Sequence, residues 1–110
     1  MQNVLAHSQT AVFQPAGHIN ASNADTLENQ LVTAISSGEY STVVADMSHV
    51  ESLDSAGLMA LVSALNLAQR SGQEFFLCCV PPSIRIIFEL TQLNQAFEVL
   101  DEPPALAIAA

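Results

Sequence analysis

A buried-strand run that leads through a short loop into a long apolar-periodic segment is the feature that most constrains this chain. Residues 42–47, Thr42-Val43-Val44-Ala45-Asp46-Met47, make an apolar run with Val43, Val44 and Ala45 consecutive, as a strand covered on both faces requires. From about residue 55 to 71, Leu58, Leu61, Val62, Leu65 and Ala68 recur every three or four positions and make one buried helical stripe, which Gly72 then ends. Between the two lies Val50-Glu51-Ser52-Leu53-Asp54-Ser55-Ala56-Gly57-Leu58. Asp54-Ser55-Ala56-Gly57-Leu58 therefore falls where a strand and its loop turn into a helix. A serine at that place is expected to be exposed near a helix N-terminus, where backbone N–H groups and the helix dipole favour an anion.

The remaining elements alternate in the same way. Strands are expected at about 3–7 and 11–16, joined by Ser8-Gln9-Thr10 and paired antiparallel, with Pro15 marking an edge or a bulge. Ser22-Asn23-Ala24-Asp25 resembles a capping box, and the helix after it runs to about residue 37 with Ala24, Leu27, Leu31 and Ile35 buried. A strand at 74–79 is broken by Pro81-Pro82, which is well placed to open a third helix carrying Ile84, Ile87, Phe88 and Thr91 on one side. Phe97-Glu98-Val99-Leu100 reads as a short last strand, and Pro103-Pro104 opens a brief alanine-rich helix. Strands separated by helices predict a single α/β domain over residues 1–110. Its sheet is mixed but mostly parallel, of four to five strands, with helices packed against it.

Charge excludes some partners. Net charge is −9, with Arg70 and Arg85 the only basic side chains. Phosphate backbones and anionic membrane surfaces are held by several lysines or arginines, so no nucleic acid and no such membrane is expected as a ligand. The longest apolar runs fall well short of the ~20 residues that span a bilayer. Met1-Gln2-Asn3-Val4 lacks the basic region and apolar core of a secretory signal, so the expected location is the cytoplasm and no membrane insertion is expected. Half the residues are hydrophobic, which suggests that a partner covers part of the surface, although many alanines inflate that count.

The residues that could carry chemistry are few. His7, His18 and His49 share no metal-ligand spacing. His49 lies near Ser55 in sequence, but there is no G-x-S-x-G elbow, no third orienting group, no P-loop and no dinucleotide fingerprint. The chain is therefore not read as an enzyme, and no catalytic or metal-ligating residue is assigned. Cys78 and Cys79 are adjacent on an expected strand, so their side chains should point to opposite faces as structural thiols. Gly57 stands in the first helical turn, where glycine costs about 1 kcal/mol relative to alanine. Either the helix packs closely on the sheet there, or a partner backbone approaches. Ser55, Ala56, Met59, Ser63 and Asn66 share a helical face outside the core stripe, which reads as a protein-docking patch or as an ordinary solvated face.

The Asp54-Ser55-Ala56-Gly57-Leu58 segment resembles the D-S-[SA]-G-L motif of the STAS domain, the fold of bacterial anti-sigma factor antagonists. Ala16-Gly17-His18-Ile19-Asn20-Ala21-Ser22-Asn23-Ala24-Asp25-Thr26-Leu27 resembles that family's second-strand and first-helix signature, and the segments 75–84 and 88–93 its fourth strand and third helix. Asn20 stands where the family usually has aspartate; it keeps the hydrogen bonding and loses the charge. The resemblance implies that Ser55 is a reversible phosphorylation site; the plainer alternative is that Asp54 or Ser55 is simply the helix N-cap, and the two roles can coexist. It implies a partner-binding surface of Asn20, Ser22, Asp54, Ser55, Ala56, Gly57, Met59 and Ser63. The implied mechanism is partner switching. The unphosphorylated domain binds an anti-sigma factor that is also a serine kinase and so frees a sigma factor; phosphorylation of Ser55 releases the complex, and a serine phosphatase resets it. ATP and Mg²⁺ would belong to the kinase, and the domain would hold no cofactor. The alternative is a constitutive STAS subunit or scaffold of a larger assembly, such as a transporter-associated one, in which Ser55 is never modified.

Overall fold

The computed structural model describes residues 9–102 and the backbone of 108–109. The elements are β1 (Thr10–Phe13), β2 (Ala16–Ile19), α1 (Ala24–Ser36), β3 (Thr42–Asp46), β4 (His49–Leu53), α2 (Ser55–Arg70), β5 (Glu74–Cys78), α3 (Pro82–Leu90), a 3-10 turn (Leu93–Gln95), β6 (Glu98–Leu100) and β7 (Ile108–Ala109).

Five strands form one sheet in the order β6-β5-β3-β1-β7, and every ladder in it is parallel. Central β3 explains why its sequence is unbroken: Val43, Val44 and Ala45 are fully buried, as a parallel strand covered on both faces must be. Strands β2 and β4 form a separate two-stranded parallel ribbon. Helix α1 packs on α2, α2 also rests on β4 and β5, and α3 rests on β4. The stripe Leu58, Leu61, Leu65 and Ala68 is buried, with Val62 half-buried beside it. Phe88 of α3 stacks on Phe97 at 5.6 Å between ring centroids, and Phe75 meets Phe97 edge-on at 6.3 Å. These contacts tie α3 and the chain before β6 to β5.

The structure departs from the sequence reading in several places. The strand expected over 11–16 ends at Phe13. Pro15, with no N–H to give a ladder, separates β1 from β2. Strand β4 was expected to be loop. It pairs Gly17 with Val50 but His18 with Ser52, so Glu51 is an extra residue in a bulge. Val50 and Leu53 are consequently buried at a spacing of three, and the alternation that would announce a strand is absent. The capping box does not form either. Asn23 is the N-cap of α1, but its side chain makes no cap hydrogen bond and turns back toward the preceding loop. Ile108–Ala109 pair in parallel with β1, where a helix was expected after Pro103-Pro104; the rest of that segment lies outside the described residues. The strand expected at 3–7, with its antiparallel pairing, also lies outside them.

The cysteines are a further correction. Strand β5 ends at Cys78, and Cys79 has φ +59°, in the left-handed region. The chain therefore turns at Cys79 instead of alternating, and the two sulfurs do not lie on opposite faces. Each lies within 4.8 Å of the other and of a carboxylate oxygen of Asp46. Burial, together with neighbouring Cys79 and Asp46, pushes the Cys78 thiol up to about 12, and burial raises Cys79 as well. Burial works to raise the Asp46 carboxyl. Hydrogen bonds from the Ser48 N–H at 3.0 Å and the Gln14 amide at 3.0 Å outweigh it and leave that carboxyl below its ordinary value.

Candidate functional site: the N-terminus of helix α2

The carboxyl ends of β2 and β4 meet at the start of α2. Ile19 pairs with Leu53, and the Asp54 N–H donates to the Ile19 carbonyl at 3.1 Å. Asn20 and Asp54, the residues that follow each strand, are thereby brought side by side. The bulged ribbon thus joins two segments that are 34 residues apart in sequence, as the His18–Ser52 pairing also shows.

Asp54 is the N-cap of α2. Its backbone is extended, its Oδ1 accepts from the Gly57 N–H at 3.1 Å, and its carbonyl accepts from Leu58 N–H at 2.9 Å. Capping therefore falls to the aspartate. Ser55 is the first helical residue and is exposed, and its hydroxyl makes no hydrogen bond among the described residues. The unsatisfied N–H groups and the dipole of a helix start favour negative charge beside that hydroxyl.

Asn20 and Ser22 are organised as a turn. The Asn20 Oδ1 accepts from the Ser22 N–H at 2.9 Å and from the Ser22 hydroxyl at 2.6 Å. Its N–H donates to Asn23 Oδ1 at 2.9 Å, and the Asn23 amide returns to the His18 carbonyl at 2.8 Å. The Asn20 carbonyl accepts from Ala24 N–H at 2.8 Å and so opens α1. Every one of these roles needs only an amide oxygen or backbone, so asparagine serves as well as aspartate would. What asparagine changes is the charge beside Asp54.

On α2, Met59 lies one turn beyond Ser55 and is 58% exposed, and Asn66 is exposed further along. Ala56 and Ser63 are half-buried at the rim of this face. Gly57 points inward. A Cβ there would meet Leu53 Cδ1 at 2.6 Å and Ile19 Cγ2 at 2.7 Å. The missing side chain is filled by the ribbon itself, so the close-packing reading of Gly57 holds and a partner does not need that space. Gly57→Ala would gain about 1 kcal/mol of helix propensity, against an overpacking cost of about 1–3 kcal/mol. Ile19 is β-branched and stiff, so the cost should win. We expect a net destabilisation of about 1 kcal/mol, read as a lower melting temperature; an unchanged or higher one would contradict this packing.

The structure does not bring His49 to Ser55. His49 opens β4, at the opposite end of that strand, and its ring lies 3.2 Å from Ser48 Oγ. His18, which its position in sequence did not distinguish, lies 2.7 Å from Ser52 Oγ and 3.7 Å from Glu51, all exposed on the ribbon. Only the bulged pairing of β2 with β4 reveals that contact. No helix among the described residues is long and apolar enough to cross a membrane.

Residues 2–103 match the STAS domain model, and the chain belongs to that family. It is 35% identical over 94 residues to BtrV of Bordetella bronchiseptica, described as a candidate anti-sigma factor antagonist, covering 84% of this chain and 79% of BtrV. The fold is shared with the anti-sigma factor antagonist SpoIIAA in its unphosphorylated form, with a TM-score of 0.73 at 18% identity over 86% of this chain and 82% of the other. It is also shared with SpoIIAA of Bacillus in its phosphorylated form, with a TM-score of 0.67 at 18% identity over 86% and 85%. A sulfate transporter family protein from Wolinella succinogenes has the same fold, with a TM-score of 0.74 at 18% identity over 84% and 77%.

Proposed function

We propose that this chain is an anti-sigma factor antagonist that acts in the cytoplasm by partner switching at Ser55. The observation that carries the reading is the uncapped, exposed Ser55 hydroxyl at the first position of α2, with Asp54 taking the capping role. The kinship with BtrV supports it. An anti-sigma factor with serine kinase activity binds the face around Ser55, Asp54, Ala56 and Met59, with Ser63 at its rim and the Asn20–Ser22 turn beside it. The kinase brings ATP and Mg²⁺ and transfers the phosphoryl group to Ser55 Oγ. A serine phosphatase removes it. The domain supplies the acceptor and the surface, and no chemistry of its own.

The switch follows from electrostatics. A phosphate adds about −1.5 to −2 charges. Within a close protein contact those charges lose water, and Asp54 repels them. A penalty of about 3–4 kcal/mol lowers affinity by a factor of hundreds. In the free domain the same phosphate meets the positive end of the α2 dipole and one carboxylate instead of two, because residue 20 is asparagine. The modified form should therefore stay folded.

Ser55→Ala, incubated with the cognate kinase and ATP, is expected to take up no phosphate, while Ser52→Ala labels as the unaltered protein does. Full labelling of Ser55→Ala would overturn the assignment. A second reading is a constitutive subunit or scaffold of a larger assembly in which Ser55 is never modified; the Wolinella transporter family protein shares the fold, and at 18% identity the fold alone. Intact mass of the protein isolated from its host separates the two. Partner switching requires a population heavier by one phosphate; the constitutive role predicts none under any growth condition.

A further inference from the structure

We propose that Asp46, Cys78 and Cys79 form a site for one thiophilic divalent cation of the zinc class, at the carboxyl end of β3 and β5. Asp46 and Cys78 are register partners on adjacent parallel strands, so their side chains leave the sheet on the same face. The turn at Cys79 adds a second sulfur, and the three donor atoms lie within 4.8 Å of one another.

Two independent observations point to a cation. Asp46 is a buried charged side chain, 5% exposed; its oxygens accept from the Ser48 N–H and the Gln14 amide, each at 3.0 Å, but among the described residues no lysine, arginine or histidine neutralises its charge. Buried charges are ordinarily paired or bound to a metal. Second, Cys79 holds a left-handed backbone at φ +59°, which costs a side-chain-bearing residue about 1 kcal/mol or more. Its N–H donates to the Leu100 carbonyl at 3.1 Å, which fixes the turn. An extended Cys79 would send its sulfur away from Asp46; the strained one delivers it to the cluster. Glu102 adds negative charge near the Cys79 sulfur.

The donor set selects the ion. Two sulfurs and one carboxylate oxygen suit a borderline-soft cation; calcium and magnesium prefer all-oxygen shells. Tetrahedral zinc, with bonds of about 2.0–2.3 Å, places its donors about 3.3–3.8 Å apart. The cluster must close by about 1 Å, within reach of side-chain rotation. Three protein donors leave the fourth position to water, on the half-buried Cys79 side. On binding, each sulfur loses its proton to solvent as its bond to the metal forms, with no change of oxidation state.

The test titrates the full chain, held reduced by a phosphine, with Co²⁺ as the probe. The expected result is a thiolate-to-cobalt charge-transfer band in the near ultraviolet, saturating at one ion per chain and displaced by Zn²⁺. Cys79→Ser should weaken binding about tenfold or more and reduce the band, and Asp46→Asn should weaken binding while keeping the band. Cys79 is half-buried, so its serine variant should keep the unliganded melting temperature and show that a loss of binding is not a loss of fold. No thiolate band in the unaltered protein, or a band unchanged in Cys79→Ser, would overturn the proposal. So would air oxidation to a disulfide without cation uptake.

Discussion

Leu61→Glu is expected to unfold the domain. Leu61 is fully buried in the middle of α2, within the core shared by α1 and the sheet. A carboxylate there would have no cation and no water, and an unpaired buried charge costs more than about 4 kcal/mol. Small domains hold about 5–15 kcal/mol in total. Circular dichroism should show loss of the cooperative thermal transition, or a melting temperature lowered by tens of degrees. A variant that melts within a few degrees of the unaltered protein would place Leu61 outside the core.

Ser55→Asp is expected to do the reverse: to keep the fold and lose the partner. Ser55 is exposed at a helix start, where the dipole tolerates an acid, so stability should change by less than about 1 kcal/mol. At the centre of the docking face, the new charge beside Asp54 should weaken binding to the anti-sigma partner about a hundredfold or more. Met59→Glu should behave in the same way, since Met59 is 58% exposed on the Ser55 face and outside the core stripe. Paired thermal melts and calorimetric titrations read both halves of the expectation. Wild-type binding by both variants would move the docking face elsewhere.

The features that sequence made legible share a physical cause. Burial on both faces wrote itself into β3, and one-sided burial wrote the stripes of α1 and α2, because periodicity records which side meets the core. Ser55 could be located because the strand run and the helical stripe bracket it. What the sequence hid depends on pairing between distant segments. The bulge at Glu51 removed the alternation of β4, and with it the contact between His18 and Ser52. Gly57 looked equally suited to packing or docking until Leu53 and Ile19 were seen to fill its space. Capping could have fallen to Asp54 or Ser55, and only the Gly57 N–H showed which. The turn at Cys79 has no signal in residue type, since cysteine carries no preference for the left-handed region, and so the convergence with Asp46 was invisible.

One titration tests the switch at Ser55 most directly. The anti-sigma kinase, held without nucleotide, is titrated calorimetrically with the unmodified domain and then with the domain phosphorylated stoichiometrically at Ser55. The switch predicts tight binding before modification and affinity lower by about two orders of magnitude or more afterwards, with the two forms of the domain melting at similar temperatures. Equal affinity of the two forms would contradict it.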